Sequence, residues 1–132
     1  MIVDASVIVA IIKPEDDGQV FRDILATASA PIYVSAAGFL EAAIVIDSRK
    51  SPERSLQIGK LLLDYDIEIA PVTETQAHIA RQAYQTYGKG SGHKAQLNFG
   101  DCFAYALAKD SGKPLLFKGS DFAHTDVTRA LP

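Results

Sequence analysis

The sequence predicts an α/β protein with a central parallel sheet covered by helices on both sides. Two observations carry that prediction. The apolar segments Ile2-Val3, Ile32-Tyr33-Val34 and Leu115-Leu116-Phe117 are short and lack the polar alternation of strands with one solvated face. Longer stretches with helical caps or helical spacing of apolar residues separate them, and strands alternating with helices imply a parallel arrangement. No internal repeat, linker or low-complexity segment interrupts the pattern, so residues 1–132 are expected to form one domain.

In chain order, Ile2-Val3 is a buried strand leaving through the turn Asp4-Ala5-Ser6, and Val7 to Ile12 is a short buried helix. Lys13 to Gly18 is a polar break containing Pro14, after which Val20 to Ala28 places Phe21, Ile24 and Leu25 on one helical face. Strand Ile32–Val34 leads to Ser35, an N-cap for a helix running through Phe39 to Ile46, with Arg49 and Lys50 favouring its carboxyl end. Pro52 restarts the chain in a helix over roughly Glu53 to Asp64, since proline suits a first helical turn. Ile67 to Ala70 alternates as a strand, and Thr73 with Gln76 forms a capping box for a helix to about Tyr87. Gly88 to Lys94 is a flexible, locally basic loop. The stretch Leu97 to Lys109 is the next helix, closed by Gly112 and Pro114, and the strand Leu115–Phe117 ends in the turn Lys118 to Asp121.

Composition narrows the function. Hydrophobic residues at 48% and charged ones at 22% are those of a soluble globular protein, and the net charge of −3 argues against binding nucleic acid through bulk basicity. The run Val7 to Ile12 is too short to span a bilayer and Met1 leads straight into a strand, which predicts a cytoplasmic protein without a membrane contact. One cysteine, Cys102, rules out an internal disulfide and a cysteine-built metal site. His78, His93 and His124 lack ligand spacing.

The acids are the candidates for chemistry. Asp4 follows the first strand, Asp101 sits in the first turn of an apolar helix, and Asp121 follows the last strand, all at the sheet edge where ligands collect in such folds. Glu41 lies between Leu40 and Ala42 with no cationic partner nearby in sequence. Each has an ordinary explanation as well: a turn or N-cap for Asp4, a solvated stripe for Glu41, a capping box with Asn98 for Asp101, a turn for Asp121. Crowded carboxylates are held ionised most cheaply by a hard divalent cation, which points to Mg²⁺ or Mn²⁺ rather than zinc. Such an ion can activate water against a phosphodiester, with Lys89, Lys94 and Lys118 available for phosphates.

These residues resemble those of the PIN-domain ribonucleases, and specifically the VapC toxins of bacterial toxin–antitoxin pairs. The matching motifs are Ile2-Val3-Asp4-Ala5-Ser6, Glu41, Asn98-Phe99-Gly100-Asp101-Cys102-Phe103-Ala104-Tyr105-Ala106 and Leu115-Leu116-Phe117-Lys118-Gly119-Ser120-Asp121-Phe122, spread over essentially the whole chain. The resemblance implies an α/β/α sandwich, metal-dependent endonucleolytic cleavage of RNA, a VapB-like antitoxin as partner, and a homodimer. It makes Asp4 and Asp101 the principal metal ligands, has Glu41 complete the acidic site, and has Ser6 orient Asp4 or a phosphate. The fourth acid departs from the pattern. Relatives place asparagine or aspartate where this chain has Ser120, so the acid comes from Asp121 or, less directly, Asp126, and a metal-facing Ser120 would weaken a second metal.

Two rival classes remain. A non-catalytic scaffold on the same fold would bind RNA or protein without cutting, and Ser120 favours it. A phosphoaspartate phosphatase or receiver fits badly, because the first strand offers Asp-Ala-Ser rather than Asp-x-Asp. The glycine loop follows a helix and lacks the Gly-Lys-Ser/Thr ending, so it is no P-loop.

Overall fold

The apolar segments pair into one parallel sheet in the order β3-β2-β1-β4, as a computed structural model of the chain describes for residues 1–13 and 15–130. Pro14, expected in the polar break, lies outside the described residues, as do Leu131 and Pro132. The strands are β1 (Ile2–Val3), β2 (Ile32–Ser35), β3 (Ile67–Ala70) and β4 (Leu115–Leu116). The helices are α1 (Ala5–Ile12), α2 (Gly18–Thr27), α3 (Ala36–Asp47), α4 (Pro52–Asp64), α5 (Glu74–Tyr87) and α6 (Phe99–Ser111). Ile2 pairs with both Tyr33 and Leu115, so β1 is a central strand despite its two residues.

Side-chain alternation divides the sheet into two faces, each with its own core. Val3, Ile32, Val34, Ile67 and Leu116 point to a core shared with α1, α2, α3 and α4. Ile2, Leu115 and Phe117 point the other way, to a core with Ala83 of α5 and Cys102, Ala104, Tyr105, Leu107 and Ala108 of α6. The result is the expected α/β/α sandwich. Steps from β1 to β2 to β3 use the first face, and the return from β3 to β4 passes over the second, so all three connections share one hand, as parallel strand twist demands. No helix among the described residues is long and apolar enough to cross a membrane.

Several boundaries differ from the sequence reading, each for a local reason. Helix α1 begins at Ala5, because Asp4 has extended backbone and caps it. Thr73 Oγ1 accepts from the Gln76 amide at 3.1 Å, while the Gln76 side chain turns away to donate to Asp110 at 3.4 Å. Only half of that capping box forms. The loop after α5 is tied at its base: the Leu97 amide donates to Tyr87 at 2.8 Å and the Lys89 amide to Leu97 at 2.9 Å. At the other edge, the Leu115 amide donates to the Thr128 carbonyl and the Ala130 amide to the Leu115 carbonyl, so residues 128–130 cover β4, a pairing that no sequence pattern announced.

Candidate active site

The strand order reverses between β1 and β4, and in open parallel sheets ligands bind beyond the carboxyl ends of the strands at such a reversal. Asp4 stands there. It is buried, and its Oδ2 accepts the Ser6 amide at 3.0 Å as the N-cap of α1. Burial pushes its carboxyl up, the Ser6 hydroxyl and the Ser6 and Ala5 amides act against that, and the Asp121 charge adds to it. Ser6 Oγ also accepts the Lys118 amide at 3.0 Å, so one hydroxyl holds the ends of β1 and β4 together beside Asp4. Ser6 thus touches Asp4 through its amide and β4 through its hydroxyl.

Asp101 arrives from the opposite layer. Its amide donates to Asn98 Oδ1 at 2.9 Å, and its own Oδ2 accepts the Asn98 amide at 3.0 Å, a complete capping box. The cap therefore uses one carboxylate oxygen and leaves Oδ1 for a ligand. Burial first, then the charges of Asp4, Asp121 and Glu41, push this carboxyl up to about 6 against the lowering bond from Asn98. Glu41 comes from α3, which packs on α6 as well as α1. Its carboxylate lies against the Cα of Gly100, where an added Cβ would sit 2.7 Å from Glu41 Cδ. Partial burial and then the Asp4 charge push Glu41 up too. Gly100 thus matters to the site, and its one sequence signal is a glycine in a first helical turn that alanine would favour.

The remaining expected residues divide. Asp121 is exposed and its charge reaches Asp4 and Asp101, whereas Ser120 is exposed beside it. Asp126 belongs elsewhere: it accepts the Tyr105 hydroxyl at 2.7 Å and Lys109 Nζ at 3.0 Å, and these bonds hold its carboxyl down. Its charge does not figure among those that raise Asp4 or Asp101. Lys118 is likewise not free for phosphate, because its ammonium pairs with Glu15 and, at 3.1 Å, with Asp17. Sequence reading missed those two acids, which lie in the polar break after α1.

Four carboxylates from β1, α3, α6 and the β4 turn thus share one field, and no lysine or arginine among the described residues offsets the rise of Asp4, Glu41 or Asp101. An all-oxygen donor set of this kind suits a hard divalent cation. No three His, Cys, Asp or Glu side chains among the described residues stand close enough to ligate one ion together. An ion here would take at most two side-chain carboxylates and fill its shell with water, the usual habit of Mg²⁺.

Comparison with known proteins agrees with this architecture. The PIN domain family model matches residues 1–127. Ribonuclease VapC28 of Mycobacterium tuberculosis is 51% identical over 131 residues, covering 99% of this chain and 98% of the relative. Ribonuclease VapC30 of the same species is 44% identical over 133 residues, covering all of both chains. Among solved structures, Mycobacterium tuberculosis VapC20, described as a sarcin–ricin loop cleaving toxin, superposes with a TM-score of 0.77 at 15% identity over 99% of this chain and 98% of its own. A toxin–antitoxin complex from Klebsiella pneumoniae gives 0.70 at 14% identity over 95% and 92%. With a parallel sheet whose reversal point gathers acids from three layers, and with relatives of this identity along its whole length, the chain belongs to the PIN-domain family and, within it, to the VapC ribonucleases, toxins of toxin–antitoxin pairs.

Proposed function

We propose that the protein is a single-domain, cytoplasmic endoribonuclease that hydrolyses RNA at the Asp4, Glu41, Asp101 and Asp121 cluster. The observation that carries this reading is the gathering of four acids at the sheet reversal, where burial first and the neighbouring carboxylate charges second push Asp101 up to about 6. Asp4 and Asp101 would hold a divalent cation, Mg²⁺ or Mn²⁺, which would supply an activated water and offset charge on the phosphate. The chain's own residues do the positioning. The Ser6 amide and hydroxyl hold Asp4 in one orientation. The capping box fixes Asp101 and presents Oδ1. Glu41, seated on Gly100 with its proton affinity raised by partial burial and the Asp4 charge, would take the proton of the attacking water. Asp121 adds negative charge at the mouth, and Ser120 offers a hydroxyl in place of another ligand. The amides of Phe99 and Gly100, in the first turn of α6, have no intrahelical acceptor and would be available to a phosphate.

Attack by water leaves a 5′-phosphate and a 3′-hydroxyl. Incubation of total RNA with the protein and Mg²⁺ is expected to give fragments with those ends, and EDTA, Asp4→Asn or Asp101→Asn to abolish them. Activity indifferent to chelation and to both substitutions would refute the reading, and intact RNA bound without cleavage would identify a scaffold instead. As a toxin the protein works as a homodimer restrained by a VapB-like antitoxin. An antitoxin arginine, bidentate on the carboxylates, would block the site where the cation binds. Expression alone should arrest growth, and co-expression of the antitoxin should relieve it.

A further inference from the structure

Beside the acid cluster, and sharing Asn98 with it, lies a groove of about 550 Å³ between α5 and the amino end of α6. Its walls include Arg81 and Tyr84 of α5, Lys89 of the following loop, and Phe99 and Phe103 of α6. Phe99 is 79% exposed although it stands two residues from Asp101, and Tyr84 is 46% exposed. Neither cation has an ion-pair partner among the described residues.

We propose that this groove is a nucleobase subsite: it takes one unstacked base of the RNA next to the scissile phosphate, on the ring of Phe99, with Arg81 and Lys89 meeting adjacent phosphates. The proposal rests on the ribonuclease reading above. Single-stranded RNA is bound by aromatic faces flanked by cations, because every base has a π-face and every link a negative charge. The groove offers both. In a chain of net charge −3, beside four carboxylates, a pair of free cations on an apolar groove complements a polyanion that must approach an acidic centre.

The aromatic rings are also held in advance. Phe103 braces Phe99 edge-on, with centroids 4.9 Å apart and planes at 86°, which leaves a Phe99 face open. The Tyr84 hydroxyl donates to the Lys89 carbonyl at 3.2 Å, and its ring packs on Gly88, where a Cβ would come within 2.8 Å of Tyr84 Cγ. A platform fixed before binding loses little entropy when a base stacks on it. Asn98 connects the two halves, since it lines the groove and caps the turn that carries Asp101.

The chain contains no tryptophan, so Phe99→Trp installs a single indole in the groove. In an Asp4→Asn background, titration with a short single-stranded oligoribonucleotide of mixed sequence should quench its emission. An abasic ribose–phosphate oligomer of equal length should not. Absent quenching, or equal quenching by both, overturns the subsite. Phe99→Ala should weaken binding of the same oligoribonucleotide by about 5- to 150-fold, the loss of one base–aromatic stack, and Phe99→Tyr should restore most of it. With Asp4 intact, Phe99→Ala should raise KM more than it lowers kcat. A Phe99→Ala protein whose oligomeric state changes by light scattering, with RNA affinity retained, would assign the groove to a second copy of the chain and overturn the proposal. Base-dependent quenching by a protein that cuts no RNA with any divalent cation would sink the ribonuclease reading and leave the subsite standing. EDTA-sensitive cleavage with KM and cut positions untouched by Phe99→Ala would do the reverse.

Discussion

A carboxylate oxygen of Glu41 occupies the space that a side chain at position 100 would need. Gly100→Ala therefore separates folding from function. The flexible Glu41 side chain can swing away, and alanine in the first turn of α6 gains up to about 1 kcal/mol over glycine. Melting temperature should stay level or rise. RNA cleavage should fall by about 10- to 100-fold, the usual cost of misplacing a reacting group by an ångström, and wild-type turnover in the variant would show that Glu41 is not held by this contact. At this scale the sequence was readable where a residue had no ordinary partner. Glu41 in apolar company and Asp4 after a strand stood out, and the structure puts both in one electrostatic cluster with Asp101 and Asp121. Gly100 and the Lys118 pairs did not, because each depends on a neighbour distant in the chain.

At the level of elements, helix ends carry the candidate site, so capping and chemistry share residues. Asp4 caps α1, and Asn98 with Asp101 caps α6. Asparagine caps about as well as aspartate, whereas alanine costs roughly 0.5–2 kcal/mol. Thermal unfolding should place Asp4→Asn at or above wild type, because the substitution keeps an acceptor for the Ser6 amide and removes a buried charge. Asp4→Ala should melt lower, while both lose cleavage. Equal melting of the two variants would mean that the cap contributes nothing. Strands and most helices were legible from apolar runs, Pro52, Ser35 and Asn98, since propensity and caps are local. Gln76 was misread because its partner, Asp110, lies on another helix. The exposed Phe99 and its groove were not legible, because nothing local in an apolar helix tells which of its residues its neighbours leave uncovered.

The whole molecule gathers like charges and holds them at a cost that depends on pH. Asp101 rises from 3.8 in the unfolded chain to about 6 in the folded one. The native state then binds more protons than the unfolded state between those values, and stability falls as pH climbs through that window. Metal-free protein should lose melting temperature from about pH 4 to about pH 6 and change little from this group above that. A divalent cation competes with those protons, so the melting shift given by Mg²⁺ should grow across pH 6. Shifts of equal size at about pH 5 and about pH 8 would mean that the ion binds elsewhere. The three-layer class was legible from alternation alone, but the order β3-β2-β1-β4 was not, because nothing local records which strands meet. That order has a consequence in time. The Lys118 amide and the Ser6 hydroxyl are 112 residues apart in sequence, and β1 gains β4 as a neighbour only after nearly all other elements exist. During synthesis on a ribosome the first acid is made at the outset and the last arrives near the end. A chain halted before residue 115 has neither the clasp nor Asp121, so the two ends of the candidate site meet only when synthesis is almost finished.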